Sequence, residues 1–297
     1  MEQPVIKVLF LLPFFFLGLF SRAFSAENAN IIQTDEVTIL FEKRLENAAE
    51  ETERIYPRLK AELVKILHWE LNFRPTVLLT NDRARFEELT GNSLVVAFAI
   101  PQRNLIVVDY SKTSTHPFSL GTTLKHELCH LLLHNSIERV DLPKWLDEGV
   151  CQWASDGMAE ILLSPKGSYL SAAVLSRRLI RLERLSVSFP NDEKSLLLAY
   201  EQSKSLVNYI GREFGQNGIL DLLQHLKDGH DIDTAIQKSL SVRFEELESG
   251  WHSHLRKKTT WFTYLARNLY GILFFLAAII TVVGFIKLVI RKRRLEE

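Results

Sequence analysis

The sequence predicts an α+β chain, with a small mixed sheet first, a mostly helical part after it, and one C-terminal transmembrane helix. Three observations predict this. Short runs rich in Val, Ile, Leu and Thr, bounded by Pro, Gly and Asn, fall between Pro75 and Asp109. From Thr122 onward, apolar residues recur at spacings of three and four. Leu269 to Ile286 is an uninterrupted, uncharged apolar run.

The ends set the compartment. In residues 1–26, Lys7 precedes an apolar run from Val8 to Phe20, and small residues follow at Ala23, Ser25 and Ala26. This is the layout of a secretory signal peptide, with an uncleaved anchor as the alternative. At the other end, residues 269–290 are long enough to cross a bilayer core of about 30 Å. Trp261, Tyr264 and Tyr270 supply interfacial aromatics, and Arg291-Lys292-Arg293-Arg294 predicts a cytoplasmic tail over 291–297. Residues 259–268 are then juxtamembrane, and 27–258 form one extracytoplasmic domain, helical from about 154. The expected location is the cell membrane, single-pass.

Composition agrees with a folded domain. The chain of 297 residues is 46% hydrophobic and 24% charged, with a formal net charge of zero. That balance gives no reason to invoke a nucleic-acid partner. Two cysteines, Cys129 and Cys151, are too few for a disulfide framework. They are open to one bridge or to two buried thiols.

In chain order, Asp35 to Trp69 reads as helical, with a stripe of Val37, Leu40, Phe41, Leu45, Ala48 and Ala49 and a possible break at Pro57. Pro75–Thr80 reads as a strand, followed by a helix through Phe86 and Leu89 to Gly91. Leu94–Ile100 and Leu105–Asp109 read as a hairpin around a Pro101–Asn104 turn. After Trp153, helical spacing recurs around Tyr169–Leu185, Leu196–Phe214, Ile219–Leu226, Ile232–Leu240 and Phe244–Leu255, with Gly215, Gly218 and Gly229 as stops.

The stretch that carries chemistry is Thr122–Asn135, TTLKHELCHLLLHN. On a helix, His126 and His130 are one turn apart, so their imidazoles leave one face and can converge on a metal ion. Glu127 lies about 100° round the helix, placed to reach a water activated by that metal. The plain alternative is a core helix with a satisfied His pair. A third ligand must come from elsewhere. In Leu142-Pro143-Lys144-Trp145-Leu146-Asp147-Glu148, Pro143 can start a helix and Glu148 follows in its first turns. Two His and one Glu make the open, catalytic form of a zinc site. Asp147 and Asp141 are competing carboxylates. His134 lies about 12 Å along the axis from His126, too far to share the ion.

HELCHLLLH followed by LPKWLDEGVCQW resembles the gluzincin branch of zinc peptidases, specifically the peptidase MA-like domains, with the pattern HExxH…P-x-W-L-x-E-G. The resemblance covers roughly Pro75 to Trp251. It implies a small sheet with zincin-type active-site helices, Zn²⁺ on His126, His130 and Glu148, and Glu127 as general base. It also implies a peptide or protein substrate laid against an edge strand, here Val95–Ala99, with a plain structural hairpin as the alternative. The larger gluzincins place an oxyanion-stabilising Tyr on a downstream helix, and Tyr200 resembles that placement; a packing role is its alternative. Tyr209, Tyr169 and His230 are weaker candidates. Gln152 is expected to orient a ligand, and Trp145 to pack the Glu148 helix. The expected activity is that of a membrane-anchored zinc metallopeptidase. The alternative is a non-catalytic envelope module that keeps the fold.

Overall fold

The computed structural model describes residues 29–113, 119–155, 168–258 and 268–295, with Ala29, Lys258 and residues 289–295 as backbone only. The signal peptide, His116, Trp261 and Tyr264 lie outside the described residues.

Five strands form one mixed sheet: β1 (Ala29–Gln33), β2 (Thr38–Glu42), β3 (Thr76–Thr80), β4 (Ala97–Ile100) and β5 (Leu105–Asp109), in spatial order β1-β2-β3-β5-β4. β2, β3 and β5 run parallel, while the edge strands β1 and β4 are antiparallel to their neighbours. The stretch read as helical from Asp35 therefore begins as a strand. Val37, Ile39 and Phe41 are buried in alternation with half-buried Thr38 and Leu40, a period of two. Helix α1 (Glu46–Leu67) starts only after this strand and runs through Pro57 without a break. Pro57 and Glu53, four residues before it, are both exposed, so the carbonyl that loses its amide partner is on the solvent side.

Both sheet faces are covered. Ile39, Val77, Leu79, Ile106 and Val108 join the main core. Leu78 and Val107 point the other way, onto Phe86 of helix α2 (Arg83–Thr90). Gly91 closes α2 at φ +63°, a conformation that costs glycine nothing. Arg83 holds the chain that leads into β4. Its Nη1 donates to Val95 O at 2.9 Å and to Asp109 Oδ2 at 3.0 Å, and its Nη2 donates to Ser93 O.

Two helices carry the predicted motifs: α3 (Leu120–Ser136) and α4 (Lys144–Ala154). α3 packs on α1, on β4 and on α4. Behind them come α5 (Tyr169–Ser176), α6 (Leu182–Val187), α7 (Glu193–Glu213), α8 (Gly215–Lys227), α9 (Ile232–Leu240) and α10 (Phe244–Lys258). The expected single helix over Tyr169–Leu185 is two helices. Arg177 turns at φ 56°, and Gln202 of α7 bonds both the amide and the carbonyl of Ile180 in the gap. Gly218, expected as a stop, sits inside α8, and Gly215 begins it.

α11 (Leu269–Leu295) contains a 20-residue apolar stretch, Leu269–Leu288, long enough to cross a membrane. Phe274 is 79% and Ile280 71% exposed, so none of the described residues covers this apolar surface.

Candidate metal centre

α3 is buried on every side from Thr123 to Leu133. Ser119 caps it, its side chain accepting from the Thr122 amide at 3.2 Å. Lys125, otherwise a poor core residue, donates to Glu62 of α1 at 2.8 Å. That burial locks the rotamers of His126 and His130, whose rings meet edge to face with centroids 4.7 Å apart.

α4 comes close to α7 at Gly149. A Cβ there would lie 2.6 Å from both Ser203 O and Val207 Cγ2, so only glycine permits this approach. The preceding residue, Glu148, is thereby delivered opposite the two histidines. His126 Nε2 and His130 Nε2 are 3.1 Å apart, and Glu148 Oε2 stands 3.6 and 3.5 Å from them. A point equidistant from these three atoms lies about 2.0 Å from each, the usual zinc–imidazole and zinc–carboxylate length. Glu148 Oε2 is buried and makes no hydrogen bond of ordinary length, a costly arrangement that a cation would relieve. The donor set therefore fits a zinc ion.

The flanking groups orient the donors. His130 Nδ1–H donates to Asp147 Oδ1 at 2.6 Å, which leaves Nε2 as the inward atom. Asp147 Oδ2 is 3.2 Å from His134 Nε2 and 3.4 Å from Lys144 Nζ. Lys144 Nζ also reaches Glu148 Oε1 at 2.6 Å, which leaves Oε2 for the histidines. Lys144, Asp147 and Glu148 sit at i, i+3 and i+4, and that spacing was the available signal for a cluster the sequence reading did not assemble. Asp147 lies behind His130, buried.

Charge follows from this packing. Burial opposes ionisation of Glu148, but Lys144, His130 and His126 outweigh it and hold the carboxyl well below its usual range. Burial likewise opposes charge on Asp147, and His130, His134 and Lys144 reverse it. Burial disfavours a charged His130, yet Asp147 and Glu148 raise its pKa well above the ordinary histidine value. The two buried carboxylates are thus held anionic by the cationic groups packed around them, Lys144 and His130. His130, Asp147 and Cys151 form a second close group. Burial, then Cys129, then the two carboxylates push the Cys151 thiol well up, which makes it a poor donor. Both cysteines are free and buried.

A cavity of about 440 Å³ opens on this site, lined by His130, Glu148 and Tyr200 on one side and by Val95, Ala97, Phe98 and Ala99 on the other. Tyr200 therefore shares a cavity with two of the candidate ligands, and its ring packs edge to face on Phe189 at 5.1 Å. Glu127 is fully buried beside His126. Gln152 does not touch a ligand, contrary to expectation: its Nε2 donates to the Tyr200 carbonyl at 3.2 Å and ties α4 to α7. Trp145 is buried in the core, as a packing residue. Tyr209 packs on Phe214 and His254, and His230 contacts Lys238, both outside this cavity.

A family model described as Peptidase MA superfamily matches residues 89–257, more than half of the chain. No curated protein matches it. Among solved structures, it is similar to Legionella pneumophila aminopeptidase A in complex with aspartic acid, at 13% identity and a TM-score of 0.45, over 76% of this chain and 27% of that one. It is also similar to a mutant of an M1 zinc metallopeptidase from Deinococcus radiodurans, at 14% identity and a TM-score of 0.43, over 79% of this chain and 52% of that one. The chain thus spans between about a quarter and a half of those proteins.

Proposed function

Since the chain belongs to the peptidase MA superfamily, we propose that it is a membrane-anchored zinc metallopeptidase whose catalytic domain lies outside the cytoplasm. The observation that carries this reading is the triangle of His126 Nε2, His130 Nε2 and Glu148 Oε2, whose edges of 3.1, 3.5 and 3.6 Å suit one zinc ion. Zinc held by these atoms would supply Lewis acidity, lowering the pKa of a water towards about 7 and polarising a substrate carbonyl.

The chain's own residues do the rest. The Glu127 carboxylate takes the proton from the attacking water and delivers it to the leaving amine nitrogen. Burial of Glu127 keeps bulk water from competing for that proton. Tyr200 donates its hydroxyl hydrogen to the oxyanion that forms at the attacked carbonyl. The free edge of β4 pairs with the substrate backbone, and Ala97 and Ala99 leave room for it on the cavity side. Asp147 holds the His130 ring in register throughout. α11 spans the bilayer, with Arg291–Arg294 on the cytoplasmic side and residues 27–258 opposite.

The test is the zinc content of the full chain in detergent, purified without added metal, beside its Glu148→Ala variant. Near one zinc per wild-type chain, its loss in the variant, and hydrolysis of an unbiased peptide library are expected. A folded wild type that binds no zinc would sink the reading.

A further inference from the structure

The metal-site cavity does not end at the ligands. A second hollow of about 690 Å³ shares Pro101, Gln102 and His134 with it, so the two meet at the end of β4. Part of its lining is apolar, from Val140, Leu142 and Val187, and the rest is polar, with Asn135 and Ser186 among it. Val187 is 83% exposed, and outside α11 the only other large exposed apolar side chain among the described residues is Ile31, at 60%, on the far edge strand. Val187 thus stands open in the wall of this hollow. Two carboxylates, Glu138 and Asp141, stand in the same wall, exposed and outside the ion pairs formed by the described residues. No Lys or Arg lines this hollow among the described residues.

We infer that this second hollow is a specificity subsite for a long cationic side chain of the substrate, arginine or lysine, next to the bond that is cut. The inference rests on the peptidase reading. The chemistry of such a side chain matches the wall in two parts. Its aliphatic stem lies along Val140, Leu142 and Val187, and its charged head reaches Glu138 and Asp141. A substrate paired with β4 would run on past Ile100 towards Pro101 and Gln102, which form the joint between the two hollows. The enzyme would therefore select internal positions of polypeptides near basic residues.

The experiment uses the full chain in detergent, zinc-loaded and carrying Glu127→Gln so that bound peptide is not consumed. Fluorescein-labelled decapeptides differing only by Arg, Gln or Glu at each position in turn are titrated by anisotropy. At one position, arginine is expected to bind about five- to tenfold more tightly than glutamine, with glutamate weakest. Adding Glu138→Gln and Asp141→Asn is expected to bring the arginine-to-glutamine ratio close to one. Equal affinity for the arginine and glutamine peptides, or a ratio the added substitutions leave unmoved, overturns the inference. Turnover by the wild-type chain separates the two readings. Peptide hydrolysis without a basic preference removes this inference and leaves the peptidase. If zinc is bound and no peptide is bound or cut, both fall.

Discussion

α3 and α11 are two apolar helices that meet opposite fates. α3 is buried on every side from Thr123 to Leu133, whereas α11 exposes Phe274, Ile280 and most of the other large apolar residues between Leu269 and Leu288. The difference lies in what each carries. α11 has no Asp, Glu, His, Lys or Arg from Leu269 to Ile286, so lipid can replace protein around it. α3 carries Lys125, His126, Glu127 and His130 inside a protein core, and such groups persist only if something answers them. Glu62 answers Lys125, and Asp147 answers His130. Helices hydrophobic all round are therefore told apart by their polar exceptions, and those exceptions mark the site.

The largest expected effect removes one exception without disturbing the rest. Glu127→Gln should lower kcat on a peptide substrate by at least about 100-fold, with zinc content measured by atomic emission unchanged. The converse places an exception in α11: Ile280→Arg should disfavour membrane insertion by about 3 kcal/mol, read as the inserted fraction in a glycosylation-mapping assay. An unaffected fraction would show that α11 does not span. A smaller effect is expected from Asp147→Asn. It should weaken zinc by about 10- to 100-fold in a chelator competition, because His130 loses the acceptor that fixes its inward nitrogen. The smallest is Gly149→Ala, which should destabilise the folded domain by about 1–3 kcal/mol in thermal unfolding, as α4 is forced away from Ser203 and Val207. Full stability in that variant would mean the two helices can separate freely.

Local features were legible in the sequence. The one-turn spacing of His126 and His130, the Pro143 start before Glu148 and the β4–β5 hairpin all depend on neighbours within a few residues, and the chain folds them as read, save that β4 begins at Ala97 and not at Leu94. Features fixed by tertiary packing were not. Val37, Ile39 and Phe41 alternate as a strand does, but Leu40 between them also fits a helical stripe, and only pairing with β3 settles it. Gln152 is one turn from Glu148 and yet turns to the Tyr200 carbonyl, because α7 lies on that side of α4. Asp147 and Glu148 are adjacent, and sequence alone does not say which of them faces the histidines and which stands behind them.

Arg83 gives the cleft one fixed wall. Its guanidinium fastens the chain at Ser93 and Val95 to the buried carboxylate of Asp109, one strand further in. The edge of β4 is thereby clamped at its entrance as well as along its pairing with β5. A flexible polypeptide that docks there gives up its own freedom, while the receiving strand is already in place and has almost none left to lose. Such an edge is a ready-made template for any extended chain. On the peptidase reading, its selectivity would then come from the two hollows that meet at its end.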